Sequence, residues 1–211
     1  MALDIKKLNY DIDQILNHFE LERHYNCGAL SDWLTVKIPA DYTLHEFLEA
    51  KRQQLTHEGE MWNEEELKMH FLSFVFLFAE MEVSKRIKLF YERTIAAKVN
   101  QTPLSVKCDA MLAAPLGLNT PTKPYFFMQE FKKGKKSVDD AEGQMLVAML
   151  IAQTLNADKK PVYGCWIQGK DWHFTTLDGK NYCFSQTYDA SITKELIEIL
   201  FILRRLKEIV L

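Results

Sequence analysis

The sequence predicts a mixed α/β domain with helices flanking a sheet. Early apolar residues recur at spacings of three and four, and from Thr94 the period shortens to two. One long helical pattern, Asp140 to Asn156, then stands between two strand-like runs. A strand, a long helix and another strand imply a right-handed crossover and a parallel pairing. At 211 residues, 47% hydrophobic and 26% charged, the chain suits one globular domain with an appendage.

Leu8, Ile12, Ile15, Leu16 and Phe19 open the chain as an amphipathic helix, which NCGALSD (26–32) breaks. TLHE, from Thr43, reads as a capping box starting a second helix that runs to about His57. Asn63, with Glu66 three residues on, caps a third helix whose apolar body includes Leu67, Phe71, Phe74, Val75 and Phe78. Thr94 to Val99, Leu104 to Ala113 and Pro124 to Lys132 read as strands, split by NQTP and PLGLNTPTK. After the long helix come a strand from Val162 to Gln168 and a hairpin turning at Asp178-Gly179. A last helix spans Ile192 to Ile209. Residues 1–60 thus form a helical extension packed on a core of residues 61–211.

A net charge of −3 gives no global positive field, so any contact with nucleic acid must use local basic clusters. Lys132, Lys133, Lys135 and Lys136 form one, and Arg204, Arg205 and Lys207 another. The longest apolar run, Phe71 to Ala79, is shorter than the roughly 20 residues of a membrane helix. The N-terminal stretch has no signal-peptide core. These features predict a cytoplasmic chain with no membrane partner. Cys27, Cys108, Cys165 and Cys183, without any C-x-x-C, read as packing thiols, and His18, His24 and Cys27 lack zinc spacing.

The chemistry centres on KPYFFMQEFKKGKK (123–136), where Glu130 and Lys132 follow an aromatic run. Residues two apart share a face on a strand but point about 200° apart on a helix. Glu49/Lys51 and Glu66/Lys68 are therefore set aside, and only Glu130/Lys132 lies on an apolar strand. The pair is either a plain ion pair or half of a site. On the preceding strand, Asp109 sits among Val106, Cys108, Met111 and Leu112, where a carboxylate is costly. Two carboxylates on neighbouring strands need neutralising, and hard oxygen donors suit Mg²⁺ or Mn²⁺.

Asp109, then Glu130-x-Lys132 on the next strand, within helix–strand–strand–strand–helix–strand, resembles the PD-(D/E)XK nuclease superfamily over residues 63–169. PYFFMQEFKK, AEGQMLVAMLIAQTLN and VYGCWIQGKDWHF look like an uncharacterised bacterial branch of it. The resemblance implies a restriction-endonuclease-like core with an added C-terminal hairpin and helix. It implies Mg²⁺ (or Mn²⁺) on Asp109 and Glu130, with Lys132 orienting the attacking water. NEEELKMHFL is similar to the family's helix start, which assigns its glutamate to Glu64. Gln144 matches the helix glutamine of the recombination-exonuclease branch, although Ala148 replaces the tyrosine that follows there, and Cys108 replaces the proline before the aspartate. Hydrolysis of nucleic-acid phosphodiesters, DNA rather than RNA, is the activity implied. Lys133, Lys135 and Lys136 would face phosphates, and target recognition would fall to a separate chain. The alternative is a catalytically inactive protein on this scaffold, a nucleic-acid-binding or assembly module. The apolar C-terminal helix, through Ile197, Leu200, Phe201, Leu203 and Leu206, also suggests a homodimer.

Overall fold

The computed structural model describes residues 10–117, 119–132 and 141–211, apart from the side chains of Phe127 and Met128. Lys133, Lys135, Lys136 and the expected helix start at Asp140 lie outside the described residues. β1 (Glu22–Tyr25), β2 (Lys88–Val99), β3 (Thr102–Leu116), β4 (Thr120–Lys132), β5 (Val162–Gln168), β6 (Asp171–Asp178) and β7 (Asn181–Asp189) form one mixed sheet. Its order is β1-β7-β6-β5-β4-β3-β2. β4 and β5 run parallel, as a crossover through α6 (Ala141–Asn156) requires, and β1 runs parallel to β7.

Two hydrophobic cores sandwich this sheet. On one face α6 is buried without a break from Met145 to Ala152, because α1 (Ile12–Phe19) covers its outer side with Ile15, Leu16 and Phe19. The helices pack closely: a Cβ on Gly143 would stand 1.6 Å from the Tyr10 carbonyl oxygen. On the other face lie α2 (Gly28–Leu34), α3 (Glu46–Glu58), α4 (Glu64–Leu67), a π-helical turn (Lys68–Leu72), α5 (Ser73–Ala79) and α7 (Thr193–Val210). Trp33 fills that core and donates its indole N–H to the Ile202 carbonyl at 2.8 Å.

Several expectations are corrected. The segment after α1 is not a plain break. It adds the edge strand β1, whose four exposed residues lack the alternation that marks a half-buried strand, and then α2. Residues before 60 therefore contribute to the sheet as well as to the helices. The capping box at Thr43 does not form; α3 starts two residues later, where the His45 ring accepts the Phe47 N–H at 3.2 Å. Cys27 and Cys183 are joined as a disulfide, because the β1–β7 register sets His24 beside Cys183 and Tyr25 beside Phe184. Disulfides are uncommon in reducing compartments, so the cysteines no longer argue for one. Cys108 and Cys165 are buried thiols, as expected. The surplus apolar surface of α7 is mostly covered from within: Leu196, Ile199, Leu200, Ile202, Leu203 and Leu206 are buried, and Phe201 meets Tyr42 edge to face. No helix among the described residues is long and apolar enough to cross a membrane.

Candidate functional site

The site is assembled from α4, the middle of β2 and β3, and the end of β4. Asn63 caps α4 by accepting the Glu66 N–H at 2.9 Å while Glu66 accepts the Asn63 N–H at 2.7 Å. Glu66 is thereby committed to the cap, which leaves Glu64 and Glu65 available in the first turn. The helix then widens into the π turn, which begins at Lys68.

β2 and β3 both lose their alternation at one level. Cys108, Val106 and Leu104 face the α6 core, yet so do Met111 and Ala113, while Ala110 and Leu112 face the other. On β2, Phe90 and Ile95 likewise share the α6 side. Tyr91 pairs with Ala110 and Arg93 with Cys108, one continuous register that puts Glu92 opposite Asp109 where the alternation breaks. Glu92 has a left-handed backbone, φ 53, uncommon for a non-glycine residue and a form of strain that clusters at functional sites.

Lys68 ties these elements together. Its ammonium lies 3.0 Å from Asp109 Oδ1, 3.0 Å from Glu92 Oε1, 3.1 Å from Glu64 Oε1 and 3.3 Å from Glu65 Oε1. Burial works against its charge, but the Asp109, Glu92 and Glu64 carboxylates together raise its pKa. Lys107 pairs with the other oxygen of Glu92. The second oxygen of Asp109 accepts the backbone N–H of Phe131 at 2.8 Å, which fastens Asp109 to the residue between Glu130 and Lys132.

Glu130 is buried, with its Oε1 2.7 Å from the Lys132 ammonium. Burial and the neighbouring Asp109 carboxylate push its pKa up to about 8, a shift that Lys132 opposes but does not overcome. Asp109 is also raised, by burial, against the pull of the Phe131 N–H and Lys68. Lys132 loses charge stability to burial but gains more from Glu130, Glu64 and Asp109, so its pKa rises. Four of the five residues named from sequence therefore come together: Asp109, Glu130, Lys132 and Glu64. Gln144 is half-buried on α6, and among the described residues no hydrogen bond links it to them.

Two participants escaped the sequence reading. Lys68 and Glu64 are four apart on a helix, a spacing that signals an ion pair, but the reach of Lys68 to Asp109 is tertiary. Glu92 carried no local signal. Of the late aromatics, Trp172, Phe174 and Tyr182 are core residues, as favoured from sequence, whereas Trp166 is half-buried. Trp166 is the register partner of Glu130 and stacks on His173, with ring centroids 3.6 Å apart and planes within 7°.

Among the described residues, no three or more His, Cys, Asp or Glu side chains are gathered closely enough to hold a metal as they stand. Oxygens of Glu64, Glu92 and Asp109 are arrayed around an ammonium instead. Three carboxylates face that one positive centre, and Glu130 stands beside them with its pKa raised by burial and by Asp109. No protein-family model matches the chain and no curated protein matches it, which leaves the site's own chemistry as the guide to its function.

Proposed function

We propose that the chain is a Mg²⁺- or Mn²⁺-dependent nuclease that hydrolyses nucleic-acid phosphodiesters, DNA in preference to RNA. The helix of α4–α5, the strands β2–β3–β4, α6 and β5 would be its restriction-endonuclease-like core. The observation that carries this reading is the meeting of Asp109 with the Glu130–Lys132 strand and Glu64, through the Phe131 N–H and the shared Lys68.

Asp109 and Glu130 would hold the cation. When bound, the cation would supply Lewis acidity at the scissile phosphate. Lys132 remains an ammonium at neutral pH because its pKa is raised, so its part is that of a donor and not a base. It would hold the attacking water and stabilise charge that develops on phosphate oxygens. Glu64, whose field both Glu130 and Lys132 feel, would help to orient them. Lys133, Lys135 and Lys136 would add phosphate contacts.

The second reading is a non-catalytic nucleic-acid-binding or assembly module. It draws on the fact that Lys68 already neutralises Asp109 without any metal. Cleavage assays on single- and double-stranded DNA with Mn²⁺ separate the two. Asp109→Asn and Glu130→Gln are expected to abolish cleavage with the fold intact by circular dichroism. Lys132→Ala is expected to cost about 100-fold in rate, as for loss of one transition-state donor, while Mn²⁺ binding persists. Equal cleavage by wild type and all three variants sinks the nuclease reading.

A further inference from the structure

A cavity of about 330 Å³ opens at the beginnings of β4 and β5, bordered by the end of α7. Glu130 and Lys132 lie at the other end of β4, so the cavity is a separate place in the fold. Phe126, Pro124, Pro161, Ile209 and Val210 give it an apolar lining. Its walls are fixed from within. The Asn156 side chain, at the end of α6, accepts the Tyr125 N–H at 2.7 Å and donates to the Tyr125 carbonyl at 2.8 Å, which clamps the start of β4. The Tyr163 ring packs edge to face on Trp33, whose indole is held by the Ile202 carbonyl of α7. Small-molecule sites are mostly such pre-formed hollows of roughly 300–1,000 Å³, apolar with a few placed polar groups.

Polar groups on these walls are uncommitted. Tyr163 is 6% exposed and lines the cavity, and among the described residues its hydroxyl has no hydrogen-bond partner. That hydroxyl is not sealed in the core, and it can both donate and accept. Arg86 and Lys160, exposed at the rim, form no ion pair with a described residue. Asp158 also borders the cavity; its Oδ1 accepts the Lys160 N–H at 3.2 Å, which leaves Oδ2 for another donor. Two cations at one mouth suit a doubly charged phosphate better than a single carboxylate. The Tyr163 hydroxyl and Asp158 suit a body with hydroxyl or amino donors, and the apolar walls suit a flat ring. The volume, at the small end of the range for ligand sites, suits one such unit and not a chain of them.

We propose that this cavity binds a nucleoside monophosphate, with its phosphate on Arg86 and Lys160 and its ring or sugar donors on Tyr163 and Asp158. Binding joins the beginnings of β4 and β5 to the end of α7 and stabilises the folded chain. The proposal stands apart from the metal reading, since it uses none of Glu64, Asp109, Glu130 or Lys132.

The test is isothermal titration of the full chain in chelator with AMP, CMP, their nucleosides and inorganic phosphate, alongside melting curves. At least one of the two nucleotides is expected to bind about tenfold more tightly than its nucleoside or phosphate alone, because the two parts then bind as one molecule. The same nucleotide is expected to raise the melting temperature. Arg86→Ala should weaken its binding about tenfold, as for one charge-assisted hydrogen bond, and Tyr163→Phe, which keeps the ring against Trp33, about fivefold. If Tyr163→Phe does not fold, Lys160→Ala, at an exposed position, carries the expectation of Arg86→Ala. The proposal is overturned if neither nucleotide binds at millimolar concentration, if nucleoside or phosphate binds as tightly as the nucleotide, or if the variants bind it as the wild type does.

Discussion

Two buried carboxylates in this molecule are treated in opposite ways. Glu142, at the start of α6, receives two hydrogen bonds from the Arg23 guanidinium at 2.8 and 2.9 Å and one from the Tyr182 hydroxyl at 3.0 Å. One negative charge meets one positive charge, whose Nη2 donates to both carboxylate oxygens, and with the Tyr182 hydroxyl this ties β1 and β7 to α6. Glu130, 2% exposed, has among the described residues one ammonium, that of Lys132, and a repelling neighbour in Asp109. Around it, among the described residues, Glu64, Glu65, Glu92, Asp109 and Glu130 pair with Lys68, Lys107 and Lys132. Where the fold needs an ion pair for structure, it matches the charges. At the β3–β4 level, among the described residues, the carboxylates outnumber the ammonium groups paired with them.

The largest expected effect tests the structural half of that contrast. Arg23→Ala strands a buried carboxylate and should cost about 2–3 kcal/mol in urea unfolding, below the fully buried range because the guanidinium is one-third exposed. A change under about 0.5 kcal/mol would show that the Glu142 cluster does not hold β1 to α6.

An intermediate effect concerns pH. Glu130 has a pKa of about 8 in the fold against 4.5 for a free glutamate. Between those values the folded chain holds a proton that the unfolded chain has released, so stability falls as pH rises through that window. Asp109, also raised, adds to the slope at its acid end. Glu130→Gln should flatten the decline when melting temperatures are compared in chelator across the window. A decline as steep as in the wild type would mean that Glu130 is already fully neutralised by Lys132.

The smallest effect is expected from Asp109→Asn without metal. Lys68 keeps Glu64 and Glu92, and Glu130 loses its repelling neighbour, so the change should stay within about 1 kcal/mol. A loss as large as that of Arg23→Ala would put Asp109 in the same structural class as Glu142.

What was legible in the sequence follows from range of interaction. β5 is bounded as read, Val162–Gln168, because an apolar run between Pro161 and Gly169 is a local signal. The parallel β4–β5 pairing followed from strand, helix, strand order, and the Asn63 capping box from four adjacent residues. Glu130 and Lys132 could be paired because a strand's period fixes which residues share a face. The Lys68 cluster was hidden because the π turn and the broken alternation of β2 and β3, which bring Lys68, Glu92 and Asp109 together, depend on tertiary packing. The Cys27–Cys183 bond was hidden for a similar reason. It depends on parallel pairing between strands at opposite ends of the chain, one of them only four residues long.

That bond also changes the covalent topology of the protein. Cys27 and Cys183 are 156 positions apart, so α2 through the first part of β7 is a macrocycle from which α1 and α7 extend as tails. Every residue of the candidate site lies inside the ring. The β2–β3 turn at Asn100 and Gln101 is exposed, with φ of 45° and 68°, and divides the ring between Lys68 with Glu92 and Asp109 with Glu130. A protease cutting there would free no fragment. The two arcs would remain one molecule under oxidising conditions and become two only when the sulfur bridge is reduced, with the strand pairing of β2 and β3 then the main tie between the halves of the site.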